Sequence, residues 1–324
     1  MRILSGIQPT GSIHIGAYIG AISQWKELQK IGECIFFIAD LHALTTIREP
    51  KTFQKEVLEL ASELLAAGLD PEKCIIFVQS QVKEHTELCW FLNTLTPIGE
   101  LERMTQYKEK SKQFKQNINA GLLDYPVLQA ADILLYQTDS VPVGKDQVQH
   151  LELTKTIARK FNQKYGKTFK VPEALILETG AKIMALNNPK KKMSKSIPAS
   201  CLYLFDEPEV IRKKVMSAVT DPGKIIKYDS AKKPGISNLL AIYSLFNDKP
   251  ISQIEKKFSK KGYADFKKSL AELLIVKLEP FRRKKKELLA REVYVKEILE
   301  QGRKRAEILA QSTMADVRKK MGLF

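Results

Sequence analysis

Cys34-Ile35-Phe36-Phe37-Ile38-Ala39 is an unbroken apolar run between Glu33 and Asp40. A strand with one wet face alternates apolar and polar residues. A continuous run of this length predicts a strand buried on both faces, as in a parallel sheet covered by helices. The flanking sequence agrees. Arg2–Ser5 reads as a short strand ending at Gly6, Tyr18–Leu28 and Phe53–Ala67 have helical spacing with Gly68 closing the second, and Cys74–Gln79 reads as a third strand. Strands alternating with helices predict a doubly wound parallel α/β sheet. Ligands of such sheets bind beyond the carboxyl ends of the strands, so the loops after Ser5, Ala39 and Gln79 are the expected site.

Further along, Arg103–Asn119 is polar and reads as an insertion. A helix is expected around Tyr125–Leu135, a turn at Asp139–Gly144 and a long helix from Asp146 to about Tyr165. After Pro198 the character changes. Pro208–Ala218, Asn238–Phe246, Gln253–Phe258, Tyr263–Lys277 and Phe281–Met321 all carry helical periodicity. The expected organisation is an α/β domain over residues 1–200, with a helical insertion at about 100–165, and an all-helical second domain over 201–324.

The chain has 324 residues, 53 Lys+Arg against 37 Asp+Glu, and a formal charge of +16, a surplus that favours a polyanionic partner. The basic residues are spread over several helices, which argues against a membrane-surface segment. No apolar run is long enough for a signal peptide or a membrane span. The four cysteines, Cys34, Cys74, Cys89 and Cys201, form no C-x-x-C pair. That spacing argues against a structural zinc site or a disulfide framework and fits buried thiols in a reducing cytoplasm.

Two segments carry candidate chemistry. Gln8-Pro9-Thr10-Gly11-Ser12-Ile13-His14-Ile15-Gly16-Ala17 follows the first strand and opens the first helix. It is neither a Walker A loop nor G-x-G-x-x-G. Its glycines permit close backbone approach, and a helix N-terminus offers N–H groups to an anion. Lys190-Lys191-Lys192-Met193-Ser194-Lys195-Ser196 is a basic loop whose lysines can converge on a triphosphate and offset charge on leaving pyrophosphate. Taken singly, the first also reads as a plain strand–turn–helix corner and the second as a solvated charged loop.

In this order and around a parallel sheet, the two segments resemble the signatures of class I aminoacyl-tRNA synthetases. Ser5–Gly11, Gly99–Gln106, Ala130–Tyr136, Val141–Gly144 with Asp146-Gln147, Val219–Asp221 and Pro234–Leu240 resemble the bacterial tryptophanyl-tRNA synthetase family. The resemblance spans nearly the whole chain. It implies a Rossmann-like catalytic domain, a helical anticodon-binding domain, ATP with Mg²⁺, L-tryptophan and tRNA(Trp) as partners, a homodimer and a cytoplasmic location. It places Gln8, Pro9, Thr10, Gly16, Ala17, Gly144, Lys145, Asp146, Ile183, Lys192, Met193, Ser194, Lys195 and Ser196 around ATP. Lys192, Lys195 and Thr10 become the catalytic residues. Asp132 accepts from the indole N–H, and Tyr125, Gln129, His42, Gln147, Val141 and Val143 shape the tryptophan pocket. No protein-held metal is expected.

Asp132 also makes chemical sense there. An acid between Ala130-Ala131 and Ile133-Leu134-Leu135 needs a partner, and an indole has a single donor for one acceptor to read. An acid paired with a neighbouring base, or capping a helix, is the structural alternative. His85 and His150 read as structural, and Arg282–Lys286 and Arg303–Arg305 as solvated helix faces, one of which can follow tRNA phosphates.

Three positions depart from the family pattern. Ala17 stands where Asn or His is usual and lacks their hydrogen-bonding side chain. Lys145 replaces a common Glu and makes the nucleotide side more positive. Gln129 replaces a common Met, so Tyr125–Asp132 also resembles the tyrosine-specific sister family. A non-catalytic paralogue binding tRNA or tryptophan is a rival motivated by Ala17. A small-molecule adenylyltransferase is another, but it leaves the helical domain unexplained.

Overall fold

The computed structural model describes residues 1–46, 49–113, 118–144, 147–176, 182–195, 197 and 200–324. Five parallel strands form one sheet in the order β3-β2-β1-β4-β5: β1 (Arg2–Ile7), β2 (Glu33–Ile38), β3 (Cys74–Val78), β4 (Ser140–Pro142) and β5 (Glu173–Leu175). β1 runs past Gly6, because Gly6 and Ile7 still pair with Phe37 and Ile38. A Cβ at residue 6 would sit 2.6 Å from the Phe37 ring, so glycine lets the strand continue there. The expected turn at 139–144 contains β4, and β5 was not expected from the sequence at all. Both have three residues, too few to show a period.

The apolar run of β2 is buried on both faces. Ile3, Cys34, Phe36, Ile38, Cys74, Ile76 and Val78 point to one core, while Leu4, Ile35, Phe37, Ile75, Phe77 and Val141 point to the other. The first core is covered by the helix that follows β1, which starts earlier than expected, and by α4 (Pro50–Ala66). The former comprises α1 (Ile15–Ala17), a π-helical turn (Tyr18–Ile22) and α2 (Ser23–Leu28). Trp25 of α2 stacks on Phe36 with centroids 4.7 Å apart. The second core is covered by α5 (Glu84–Asn93), α8 (Ala120–Leu135) and α9 (Val148–Tyr165). α8 starts at Ala120, five residues before the expected start, because the Asn119 side chain accepts the Leu122 N–H at 3.0 Å and caps it. Three short helices complete this half: α3 (Asp40–Ala43), α6 (Ile98–Glu102) and α7 (Thr105–Gln113), the last within the polar stretch.

The tail is helical: α10 (Pro208–Ser217), α11 (Pro234–Asn247), α12 (Ile251–Lys257), α13 (Tyr263–Leu289) and α14 (Glu292–Met321). The expected break between Lys277 and Phe281 is absent, and α13 passes through Pro280. Leu274, Leu278 and Arg282 form one buried stripe across the proline. The Val276 carbonyl that proline leaves without a helix partner belongs to a residue 68% exposed, and water can serve it. The break falls instead at Ala290-Arg291.

α14 crosses the open edge of the sheet. Val295 and Leu299 belong to the first core, and Ala306, Ala310, Met314 and Val317 to the second. Gly302 lies at the crossing, against the backbone of Ile76 in edge strand β3. Arg305 donates to the carbonyls of Pro71 and Cys74 at 3.2 and 3.3 Å. Covering an edge with a helix removes a site for unwanted strand pairing. Arg303, by contrast, pairs with Glu300 and Glu307 along its own helix. The 282–286 run is not a uniformly solvated face either. Arg282 is buried and donates to the carbonyls of Asp206 and Ile275, and Lys285 pairs with buried Glu63 at 2.7 Å.

All four cysteines are free and buried. Among the described residues no helix is long and apolar enough to cross a membrane.

A Cβ at residue 302 would overlap the Ile76 carbonyl oxygen. Gly302→Ala is therefore expected to destabilise the protein by about 1–3 kcal/mol, the usual range for overpacking. Urea unfolding measures it, and an unchanged midpoint would mean that α14 does not rest on β3.

Candidate active site

The chain moves from β1 to β2 and β3 on one side, then returns to place β4 on the other side of β1. A crevice opens at such a reversal, beyond the carboxyl ends of the two strands. A cavity of about 350 Å³ occupies it. Leu4, Ser5, Gly6 and Gln8 line it from β1 and its loop, and Val141, Pro142, Val143 and Gln147 from β4 and beyond. Phe37, Ala39 and His42 come from β2 and α3, Tyr125, Gln129, Asp132 and Ile133 from α8, and Gln106 from α7. The seven residues expected around an amino acid side chain, His42, Tyr125, Gln129, Asp132, Val141, Val143 and Gln147, thus line one cavity. Gln8, expected beside ATP, lines the same cavity.

Asp132 is 1% exposed and carries a dense set of donors. His85 Nδ1 and Gln79 Nε2 lie 2.6 and 2.7 Å from Oδ1, and His42 Nε2 lies 2.7 Å from Oδ2. Burial pushes the carboxyl up, but the charges and hydrogen bonds of His42 and His85 prevail and hold it at about 2. Behind His85, Nε2 meets the Tyr136 hydroxyl at 2.8 Å. Burial, Asp132 and Glu84 raise that phenol well above its usual range, so it stays protonated and donates. The His85 ring thus links the Tyr136 hydroxyl, through Nε2, to the Asp132 carboxylate, through Nδ1. A carboxylate has about four acceptor positions. Three are used by the described residues, and the open one is on Oδ2, the oxygen shared with His42.

His85, Gln79 and Tyr136 were not expected as site residues. They do not line the cavity; they fix an atom that does. Their signal is non-local, because Gln79 and His85 leave β3 while Asp132 is on α8. His150 works in the same way, with Nε2 3.1 Å from the Tyr125 hydroxyl and Nδ1 2.9 Å from Gln147 Oε1. Burial pushes the Tyr125 phenol up to about 12.

A second cavity, about 210 Å³, adjoins the first and shares Ser5, Gly6, Pro142 and Val143 with it. Ala17 and Gly144 line it, with Gly20, Ala21 and Ile22 of the π-helical turn. The preceding loop is tightly held. Pro9 is buried, and the Thr10 N–H donates to the Gln8 carbonyl at 2.8 Å. His14 Nδ1 accepts the Ala17 N–H at 3.1 Å. Burial, then Lys195 and Lys192, lower His14 to about 4, so at neutral pH it is uncharged with its proton on Nε2. Gly16 permits this packing, since a Cβ there would be 3.1 Å from the His14 ring and 3.5 Å from Ile183.

The basic loop docks onto the same place. Met193 is buried, and its N–H donates to the Ile183 carbonyl at 3.1 Å. Lys192 is exposed and bridges Met184. Ser194 is exposed, and its carbonyl accepts from Cys201 Sγ at 3.0 Å. Lys195 Nζ reaches across to the Gly11 carbonyl at 2.8 Å. Residues 184 positions apart therefore meet at one rim. Lys145, Asp146 and Ser196 lie outside the described residues. Among those described, no group of three His, Cys, Asp or Glu is arranged to hold a metal ion.

The depressed carboxyl of Asp132 gives a pH signature. Its contribution to stability is present above the unfolded-state value near 3.8 and lost as pH falls through about 2. The stability gap between wild type and Asp132→Asn should narrow by about 2 kcal/mol between pH 5 and pH 2. Urea unfolding across that range measures it, and a constant gap would contradict the ionised assignment.

Residues 1–279 match the family described as tRNA synthetases class I (W and Y). The tryptophan–tRNA ligase of Caldanaerobacter subterraneus subsp. tengcongensis is 49% identical, over 100% of this chain and 98% of its own. That of Helicobacter pylori is 47% identical, over 100% and 99%. The structure of Campylobacter jejuni tryptophanyl-tRNA synthetase, complexed with ADP and tryptophan, is 38% identical, has a TM-score of 0.89 and covers 100% of both chains. An Aeropyrum pernix tyrosyl-tRNA synthetase, at 20% identity and a TM-score of 0.67 over 93% and 89% of the two chains, shares the fold alone. With identity near one half over its whole length, the chain belongs to the class I tRNA synthetases of the tryptophan and tyrosine type, in the bacterial tryptophan–tRNA ligase branch.

Proposed function

We propose that the protein activates L-tryptophan with ATP and transfers it to tRNA(Trp). The observation that carries this reading is Asp132, a buried ionised carboxylate with one acceptor position open in a cavity at the sheet reversal. That position suits the single N–H of an indole ring, while Val141, Val143 and Ile133 supply apolar walls. The Campylobacter relative complexed with ADP and tryptophan supports the same pair of ligands.

The tryptophan carboxylate attacks the α-phosphorus of ATP in line, and pyrophosphate leaves. A terminal ribose hydroxyl of tRNA then attacks the acyl carbon of the adenylate, and AMP leaves. No covalent nucleophile of the protein is required, and positioning and charge stabilisation supply the rate. Gln8, Pro9, Thr10, Gly16, Ala17, Gly144, Lys145, Asp146, Ile183 and residues 192–196 surround the nucleotide. Lys192 and Lys195 stabilise charge on the phosphates, and Thr10 adds a hydroxyl. Lys195 must release the Gly11 carbonyl to reach them, so the loop closes on ATP and opens for product release. Mg²⁺ would ride on the phosphates of ATP and neutralise part of their charge.

Residues 1–200, with an insertion at about 100–165, carry activation, and the helical segment 201–324 reads the anticodon. The net charge of +16 favours that polyanionic partner. The working form is a cytoplasmic homodimer, as in the family resemblance.

ATP–pyrophosphate exchange tests the activity: it should depend on tryptophan, and dependence on tyrosine alone would transfer the enzyme to the sister specificity suggested by Tyr125, Gln129 and Asp132. Lys195→Ala should lower kcat about 100-fold or more while leaving tryptophan binding intact. Asp132→Asn should raise the KM for tryptophan about 10- to 100-fold, the worth of a hydrogen bond to a charged group, with a smaller effect on the KM for ATP. Equal losses for both substrates would remove Asp132 from side-chain recognition.

A further inference from the structure

Glu63, on α4, has a side chain only 2% exposed, yet it belongs to neither ligand set described above. Its Oε1 accepts from Ser12 Oγ at 2.5 Å and from Lys285 Nζ at 2.7 Å, and its Oε2 accepts the Ile13 N–H at 2.8 Å. One buried carboxylate thus joins three parts of the chain: the nucleotide loop, α4 and the tail helix α13. A buried charge is unfavourable unless its partners compensate it, and removing one partner leaves it uncompensated.

One lysine is paired with this carboxylate, and a second feels its charge. Lys285 is seated on it, with its ammonium 5.0 Å from the centroid of the Phe205 ring. Lys195 is the other. Its ammonium is bonded to the carbonyl of Gly11, the residue before Ser12. Burial lowers its affinity for a proton, and the Glu63 charge acts on it in the opposite sense. The backbone on either side is fixed, since the Ile15 N–H donates to the Leu202 carbonyl at 2.9 Å and the Leu204 N–H to the Ile13 carbonyl at 2.8 Å. The carboxylate is held to the loop by two bonds, from Ser12 Oγ and the Ile13 N–H. If Lys285 were absent, Lys195 would be the cation electrostatically coupled to it.

We propose that Glu63 and Lys285 are a positioning pair: Glu63 fixes Ser12 and Ile13 of the nucleotide loop, and Lys285 neutralises Glu63 so that Lys195 remains available to the triphosphate. This rests on the ATP reading above. Neither residue touches the reacting atoms; both act through the loop and Lys195.

The test is tryptophan-dependent ATP–pyrophosphate exchange by the full chain. Lys285→Met should raise the KM for ATP and lower kcat, together about 10- to 100-fold in kcat/KM, with the KM for tryptophan unchanged. Lys285→Arg, which keeps the cation, should stay close to wild type. Adding Glu63→Gln to Lys285→Met should recover most of the loss, because the unpaired charge is gone. A Lys285→Met enzyme equal to wild type, or a double variant no better than Lys285→Met, overturns the pair. A parallel change in the KM for tryptophan does so too, since it reports general damage. If Lys285→Met does not fold, the double variant should match Glu63→Gln alone in its KM for ATP, and a higher value overturns the proposal. Wild type lacking tryptophan-dependent exchange would instead defeat the functional reading itself.

Discussion

Five strands that all run in one direction bring their carboxyl ends to a single edge of the sheet, and the two adjoining cavities open there. The reversal of strand order beside β1 divides that edge. Backbone pairing closes it from β1 to β3, whereas β1 and β4 pair only between Ile3 and Ser140. Gly6 and Val143 diverge beyond that contact, and the two adjoining cavities fill the gap. The continuous burial of β2 makes the arrangement rigid, because residues on its opposite faces tie the two cores together.

Within this frame the site is prepared before any ligand arrives. Asp132 is charged, held by three donors, and backed by a tyrosine that keeps its proton. Polar groups fixed in advance need little reorganisation when a ligand takes the remaining position. The rim where the two signature segments meet follows a different logic. His14 is kept neutral beside two lysines, and Lys195 rests on a backbone carbonyl. The first cavity thus holds a buried carboxylate, while the rim formed by the two signature segments carries lysines, one of them on a carbonyl bond it can exchange.

Much of this was legible in the chain. The apolar run at 34–39 specifies the parallel sheet, and the two signature segments meet as their order suggested. Lys195 reaching Gly11 is the clearest instance. What stayed hidden was non-local or short. β4 and β5 pair over three positions each and carry no period of their own. Pro280 reads as a helix end, but the buried stripe from Leu274 to Arg282 outweighs one missing hydrogen bond. His85 reads as structural, and Glu63 falls without distinction in the expected helix at 53–67. Their importance lies in what they face, and chain position does not reveal that. Ala17, which lacks the usual polar side chain, still donates its backbone N–H to His14 and borders the second cavity.

The helix that seals the sheet edge follows every strand in the chain. Ala306, Ala310, Met314 and Val317 belong to the same core as Phe77, Leu88 and Val127. A nascent chain therefore carries β3 with its outer edge bare until residues beyond 317 have left the ribosome. The α/β half completes its interior only after α14 has been made, although its strands come long before it in the chain. A chain cut short before α14 therefore leaves an unfinished sheet, not a sound α/β half that merely lacks an appendage.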